Sequence, residues 1–291
     1  MKKKKNASDI VFDTFNICFM SFVLVALIYP FIYIISYSLS EPSKVGSGLI
    51  FLPQGLSFES YRKLLGTGEM LNGLVISVTR SSIGPFIMIV ITSMAAYAIS
   101  RENMLLVGFF RKYFIFTMYF SGGIIPVYIL MKTLHLTNNY LVYILPNLVA
   151  VFFMVLIRTY IESLPKDLEN AATMDGANEL VMFFKVIFPL CKPVIAAVAL
   201  FACVGQWNSY IDTQLYNYAD RKLYPLQYIL YYYLNAASDL QIEDLQKDVR
   251  TYTVKTLSMS ITVITVLPIA CVYPFLQKYF ASGLLVGSVK A

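Results

Sequence analysis

The chain has 291 residues, of which 58% are hydrophobic and only 14% are charged. Soluble domains usually contain about a quarter charged residues, and here the charge is absent from several long apolar runs. This pattern excludes an ordinary soluble domain and predicts a chain that crosses a lipid bilayer repeatedly. The net charge of +6 suits a membrane face that meets anionic lipid, so we expect the bilayer and not nucleic acid as a partner.

Six apolar runs approach or exceed the ~17 residues that cross a hydrocarbon core. In chain order they are Ile17–Ile35, Leu74–Ile99, Tyr113–Leu130, Tyr140–Ile161, Val194–Tyr210 and Thr256–Val272. Backbone amides in lipid must bond within their own segment, and the runs are continuous rather than alternating, so they predict helices. Small residues or proline interrupt three runs, at Ser121–Pro126, Pro146 and Pro268.

The first run is too long for the core of a cleavable signal, so we expect it to remain as an anchor. Residues 1–16 would form a tail containing Lys2–Lys5, and with this tail inside, more than half of the 23 Lys and Arg residues fall on the inner side. That asymmetry predicts both termini in the cytoplasm. The expected organisation is one transmembrane domain, 1–291, with its core at about 72–280 and outer loops at 41–72 and 212–255.

The sequence contains no recognisable group of catalytic or metal-binding residues. The four cysteines (Cys18, Cys191, Cys203 and Cys271) are too scattered for a disulfide framework or a zinc site, and they are predicted to be small buried hydrophobes. The one histidine, His135, falls in a short connection and is expected at the surface. We find no nucleotide-binding or hydrolase motif, so we expect no catalytic residue, metal site or cofactor in this chain.

The connection between the fourth and fifth runs, residues 165–189, predicts two short helices joined by a turn. Pro165 suits a helix start, residues 166–174 favour a helix, and Asp175-Gly176 has turn chemistry. A second, amphipathic piece follows, with Val181, Phe184, Ile187 and Phe188 at helical spacing on its apolar face, before Pro189 ends the segment. Ala171 and Ala172 leave the first helix thin, so another protein could pack closely against it. The segment is expected to be a rigid projection into the cytoplasm.

This stretch resembles the cytoplasmic coupling loop of binding-protein-dependent ABC permeases, with Ala171, Ala172, Gly176 and Pro189 at matching positions and Asp175 before the glycine, as in sugar permeases. Other stretches, in the same order as in carbohydrate-uptake permeases, extend the resemblance over about residues 10–291: Phe120–Tyr128, Ile144–Pro146, Arg158, Leu164-Pro165, Gln206–Asn208 and Tyr224–Gln227. They are most similar to the branch for complex or polysaccharide-derived sugars.

One position departs from the family pattern. The family's glutamate falls on Asn170, and Glu169 stands one residue earlier, which turns the side chain by about 100° on a helix. Three readings stay open: Asn170 bonds in the same cleft, Glu169 acts from another face, or the fit depends on shape alone. The residues expected to couple to the ATPase are Glu169, Asn170, Ala171, Ala172, Asp175, Gly176 and Pro189.

The resemblance implies an all-α polytopic fold with six transmembrane helices and a coupling loop between the fourth and fifth. It implies a bacterial cytoplasmic (inner) membrane protein that imports an oligosaccharide by alternating access. The implied partners are a second homologous permease subunit, two ATPase subunits that bind ATP and Mg, and an extracytoplasmic solute-binding protein. Docking of that protein would involve the outer loop at 212–255, including Tyr216, Tyr218 and Tyr224.

Polar or aromatic residues at membrane depth often mark a substrate path. The candidates are Tyr119, Ser121, Asn147, Gln206, Trp207 and Asn208, although Gln206 and Asn208 could instead bond across helices. Arg80, about two turns from the outer end of the second run, is expected to snorkel to the interface, and the less favoured alternative is that it attracts an acidic sugar. A glycerol phosphoester or another small polar cargo, or an ATPase-independent channel, remain the alternatives, whereas a membrane enzyme would need clusters of His, Asp or Glu that the runs lack.

Overall fold

The computed structural model describes residues 7–45, 48–239 and 254–283. These residues are almost wholly helical, and their strand pairing is limited to an isolated bridge between Ser40 and Leu56. The predicted all-α class is confirmed. In chain order the helices are α1 (Ala7–Ser38), α2 (Glu59–Gly66), α3 (Glu69–Ser100), α4 (Val107–Tyr119), α5 (Ile124–Thr133), α6 (Val151–Glu162), α7 (Lys166–Met174), α8 (Glu179–Val181), α9 (Phe188–Leu190), α10 (Lys192–Asn208), α11 (Ile211–Tyr216), α12 (Leu226–Asp239) and α13 (Val254–Gly283).

Three of the described helices are long and apolar enough to cross a membrane, over Ile10–Ser38, Glu69–Ser100 and Val254–Val272. They contain the first, second and sixth predicted runs, which are therefore confirmed as continuous helices. Helix α1 begins at Ala7, within the predicted tail of residues 1–16. No glycine or proline separates Ala7 from the apolar run, so nothing in that stretch stops the helix.

The third and fourth predicted runs are pairs of helical pieces that bend at a short break, and the fifth lies almost wholly in α10, directly after such a break. The chain bends by 111° between α4 and α5, by 44° between the helical turns of Tyr140–Asn147 and α6, and by 80° between the segment Glu179–Leu190 and α10. The described part of the chain has up to six spans if each bent pair counts as one. The sequence predicts the break after Tyr119 but not its size, which Gly123 permits through a backbone φ of 87°.

The predicted outer loop 212–255 is largely helical where the structure describes it. It contains most of α11, a 3₁₀ turn at Arg221–Leu223 and α12, while residues 240–253 lie outside the described residues. The helical form follows from burial, because Leu226 and Ile229 are fully covered on one face of α12. The outer loop 41–72 likewise contains the short helix α2.

Contacts divide the chain into two compact units, Met1–Gly68 with Tyr232–Leu267 and Glu69–Tyr231 with Pro268–Ala291. In the second unit, α3 packs against both α6 and α10. Its core is formed by residues that include Met88, Ala96, Ile99, Met154, Ile157, Phe183, Ile187 and Val198. In the first unit, the Lys255 ammonium lies 4.7 Å from the centre of the Tyr37 ring and the Ser260 hydroxyl bonds the Ser38 carbonyl.

The cysteines only partly follow the prediction of burial. All four are free; Cys191 is buried and Cys203 is half-buried, but Cys18 and Cys271 are exposed on α1 and α13. A thiol on the outside of a membrane-crossing helix still faces an apolar medium, so exposure in the single chain does not oppose its hydrophobic character. His135 lies at the surface, as predicted.

Gly73 on α3 allows a close approach of α12. A Cβ atom built there would lie 2.6 Å from Ile229 Cδ1 and 3.3 Å from the Tyr224 carbonyl oxygen. We expect Gly73→Ala to cost about 1–3 kcal/mol through overpacking, and so to lower the melting temperature of the detergent-solubilised chain. Gly108→Ala on α4 is the matched control, because a Cβ there meets nothing within 4 Å. Equal melting temperatures for the two variants would contradict this packing.

Candidate functional site

The helix α7 is short and is capped at its C-terminus. Asp167 and Glu169 in its first turn favour its N-terminus through the helix dipole. At its C-terminus Gly176 has φ 78°, its amide bonds the Thr173 carbonyl at 3.0 Å, and the Ala177 amide bonds the Ala172 carbonyl at 3.0 Å. This is the Schellman arrangement, in which glycine adopts the left-handed conformation that ends a helix. The predicted helix 166–174 and the turn at Asp175-Gly176 are confirmed.

The second half of the segment is helical but not regularly α-helical. Asn178 caps α8 by accepting a hydrogen bond from the Val181 amide at 2.9 Å, and Met182–Ile187 is then a π-helix. A π-helix takes in an extra residue per turn, so α-helical spacing does not predict its buried face. Met182, Phe183 and Ile187 are buried, whereas Phe184 of the predicted apolar face is 47% exposed. The prediction for Phe184 was therefore wrong. Pro189 lies within α9, directly before the 80° bend.

Arg101, the residue after α3, joins the two halves of this segment to that helix. Its guanidinium pairs with the Glu169 carboxylate on α7 and, at 3.3 Å, with Glu179 on α8. It also donates to the Tyr97 hydroxyl and lies 4.6 Å from the centre of that ring, while the hydroxyl donates to Glu179 at 2.5 Å. Burial lowers the pKa of Arg101, but the bond to Tyr97 and the two carboxylates raise that pKa on balance, so the guanidinium is a permanent cation.

The predicted coupling residues face different surroundings. Glu169 is half-buried and its carboxylate points toward Arg101, whereas Asn170 and Ala171 are exposed. Ala172 is half-buried against the core of the second unit. A cavity of about 970 Å³ lies beside the segment and is lined by both Glu169 and Asn170. The one-residue shift noted in the sequence therefore places the carboxylate on the inward side of α7 and a neutral amide on the exposed side.

A second polar cluster lies where α3, α10 and α11 meet. Arg80 is fully buried and its guanidinium forms an ion pair with the Asp212 carboxylate. It donates to Gln206 Oε1 at 2.9 and 3.2 Å and lies 4.2 Å from the centre of the Tyr143 ring. Gln206 in turn donates to the Tyr143 carbonyl at 3.1 Å. Since a lone charge in an apolar interior is very costly, this pairing is what allows Arg80 to lie there.

The expectation that Arg80 snorkels to the interface is thus wrong. Snorkelling is favoured only when no counter-charge is within reach, and Asp212 supplies one. The sequence contained a signal for this pairing: Arg80 is near the outer end of the second predicted run, and Asp212 follows the outer end of the fifth. Gln206 bonds across helices, which was the alternative interpretation of its side chain.

A cavity of about 330 Å³ adjoins this cluster and brings together only some of the predicted substrate-path residues. Asn147 and Gln206 line it, with Ser209, Asp212 and the rings of Phe153 and Phe201 among the other walls. Tyr119, Ser121 and Asn208 are exposed elsewhere, and Trp207 is only 8% exposed. A volume of this size is in the range of small-molecule sites. The role of all six residues remains a prediction.

The predicted docking tyrosines differ in how firmly they are held. Tyr216 stacks on Tyr128 with ring centres 6.1 Å apart, and burial, then nearby Asp212, raises the pKa of its hydroxyl. The Tyr224 hydroxyl donates to the Tyr218 carbonyl at 2.5 Å, and the Tyr218 ring is 59% exposed. Among the described residues, no three His, Cys, Asp or Glu side chains are grouped closely enough to hold a metal ion.

These features define a helical membrane protein whose buried polar residues connect helices. The chain belongs to the family of binding-protein-dependent transport system inner membrane components, whose model matches residues 104–286. It is 34% identical to Protein LplC of Bacillus subtilis, over 96% of this chain and 95% of that protein. It is 32% identical to the polygalacturonan/rhamnogalacturonan transport system permease protein YtcP of the same organism, over 96% and 98%.

A solved structure has the same fold. It is a chain of a bacterial ABC transporter involved in the import of the acidic polysaccharide alginate, with a TM-score of 0.86 and 29% identity. The match covers 96% of this chain and 100% of that one. The chain is therefore a transport permease component, as the resemblance implied.

The Arg80–Asp212 pair gives a sharp stability test. We expect Asp212→Asn to cost about 3–5 kcal/mol, because it leaves a buried guanidinium without a counter-charge, and to lower the melting temperature in detergent. Replacing both partners, Arg80→Met with Asp212→Leu, should cost less than the two single changes added together. Lys166→Gln is the control, because it breaks only the exposed pair with Glu102. Additive losses would contradict a coupled pair.

Proposed function

We propose that this chain is the permease subunit of an ATP-driven, solute-binding-protein-dependent importer that moves an oligosaccharide across the cytoplasmic membrane by alternating access. The observation that supports it best is the form of α7. It is a capped helix that packs through Ala172 against the core of the second unit and leaves Asn170 and Ala171 exposed. Because α7 is short and packed against that core, a force applied by a partner would move it as a rigid unit.

The proposed partners are a second permease subunit, two ATPase subunits and an extracytoplasmic binding protein. The ATPases would bind ATP and Mg, and their closure would move α7 and the helices attached to it. The C-terminal half of α7 suits a close contact, because Ala171 is small and exposed and Met174 is 88% exposed. In this arrangement both termini and the 165–189 segment lie in the cytoplasm, and residues 212–255 face the binding protein.

The proposed cargo is an oligosaccharide. Two of the similar proteins are described as transporting polygalacturonan/rhamnogalacturonan or the acidic polysaccharide alginate, which supports a carbohydrate. The cavity beside the Arg80 cluster also suits a sugar ring, since Asn147 and the aromatic residues Phe153 and Phe201 line it together. Arg80 itself is already paired with Asp212, so its charge is neutralised within the protein. Charge selection of the cargo by Arg80 therefore has no support.

Placing a charge on the exposed face of α7 tests the coupling role. We expect Ala171→Arg to weaken ATPase binding about 100-fold or more, because an unpaired charge buried at an interface costs about 3–5 kcal/mol. Uptake into proteoliposomes should fall to background, while the melting temperature of the isolated subunit stays unchanged. The measurements are co-purification of the ATPase and uptake of labelled cargo.

Thr133→Arg is the matched control, because it adds the same charge at an exposed position at the end of α5. It should leave ATPase binding intact. Normal uptake by Ala171→Arg would refute the coupling role of α7. Uptake by the isolated subunit with no ATPase present would indicate the channel alternative.

The cargo is tested by the stimulation of ATP hydrolysis in the reconstituted complex. We expect the complex to hydrolyse ATP several-fold faster with its binding protein loaded with an oligosaccharide than with the empty protein. The panel should include neutral oligosaccharides, uronic-acid oligosaccharides and a glycerol phosphodiester. Stimulation by the phosphodiester and by none of the glycans would overturn the oligosaccharide assignment while leaving the importer assignment in place.

A further inference from the structure

The contacts of Arg101 connect three elements that are separate along the chain. The residue follows the last turn of α3, and its guanidinium reaches Glu169 on α7 and Glu179 on α8. Tyr97 on α3 completes the group, because its hydroxyl accepts a hydrogen bond from Arg101 and donates one to Glu179. Under the cluster, the Tyr97 and Phe183 rings pack with centres 5.5 Å apart. We call these five residues the Arg101 clamp.

The clamp differs from the other ion pair that joins the same two regions. Lys166 on α7 also pairs with Glu102, at 3.4 Å, but both side chains are 78% exposed. Such exposed pairs usually contribute little, because water screens them and flexible side chains must be ordered. The Arg101–Glu169 pair has side-chain exposures of 25% and 24%, and its guanidinium is shared among several acceptors. A shared, half-buried guanidinium holds its partners in a fixed geometry.

The position of α3 gives the clamp a mechanical role. α3 packs against α6 and α10 along its length, and its Arg80 is fixed to Gln206 and Asp212. Movement of α7 can therefore reach the cluster beside the 330 Å³ cavity through one continuous helix, provided that α7 and α3 move together. The Arg101 clamp is the charged contact that joins them.

We infer that Arg101 is a positioning residue that transmits movement of α7 to α3, and that Glu169 serves this inward contact while Asn170 faces the ATPase. This inference rests on the proposed function. It also accounts for the displaced glutamate: the carboxylate is on the inward side of α7 because its partner is Arg101 in the same chain. The ATPase then meets a neutral amide at position 170.

The test is the coupling ratio, meaning cargo molecules taken up per ATP hydrolysed, in the complete complex reconstituted in proteoliposomes with its loaded binding protein. We expect Arg101→Gln to retain ATPase subunits and to hydrolyse ATP, but to lower the coupling ratio about tenfold, which is within the usual range of coupling between sites. Arg101→Lys should keep part of the ratio, because an ammonium can still pair with Glu169. Lys166→Gln is the matched control and should be unchanged.

A charge exchange separates a specific contact from general destabilisation. Arg101→Glu and Glu169→Arg should each uncouple the complex, and the double variant should recover at least a several-fold part of the loss. A full coupling ratio in Arg101→Gln would overturn the inference. The inference would also be overturned if the Arg101→Gln complex failed to assemble and the charge exchange did not rescue it. The clamp would then only stabilise the fold of the surface that binds the ATPase.

These outcomes are distinct from failure of the proposed function. If the unaltered chain binds no ATPase, or if Ala171→Arg transports normally, the coupling role of α7 itself is wrong. If the unaltered complex couples hydrolysis to uptake and Arg101→Gln does so equally well, only the clamp is wrong.

Discussion

Inside a bilayer a protein must satisfy its own polar groups, and Arg80 shows how strongly this constrains the structure. A guanidinium buried on α3 needs acceptors, and they come from Gln206 on α10 and Asp212 on α11, with the Tyr143 ring against its face. These partners hold the helices in one arrangement, because any slip between them would leave a charge unpaired in an apolar interior. The apolar core fills the space between the helices, and the polar cluster fixes their register.

The same helix ends at a second charged group of a different kind. At Arg80 the guanidinium itself is fully buried, whereas the contacts of Arg101 border a large cavity and reach a segment with an exposed face. A half-buried ion pair holds parts together while still allowing them to move as a unit. With the Arg80 cluster about a third of the way along α3 and the Arg101 clamp at its C-terminal end, α3 is suited to connect events at α7 to the small cavity lined by Asn147 and Gln206.

Much of this fold could be predicted from the sequence because hydrophobic length and turn chemistry are local properties. The long apolar runs, the helix 166–174 and the glycine turn at Gly176 required no knowledge of distant residues. The pairing of Arg80 with Asp212 depends on a contact across 132 positions, so its sequence signal was only the similar depth of the two residues. The π-helix could not be predicted for another reason. The predicted apolar face assumed 3.6 residues per turn, and Phe184 is exposed because the turns of a π-helix are wider. Glu169 was recognised as displaced, but its partner Arg101 emerged only in three dimensions.

The sharp corner between α4 and α5 has a consequence for what surrounds the protein. Four residues, Phe120–Gly123, separate the helices, and the first amides of α5 have no carbonyl of their own helix to bond. The Gly123 amide turns to the Ser121 hydroxyl at 3.3 Å, and both residues are exposed in the single chain. Fatty acyl tails cannot hydrogen-bond to bare peptide groups. In the cell this corner must therefore be in contact with water or with another protein. It marks a side of the subunit that lipid does not cover.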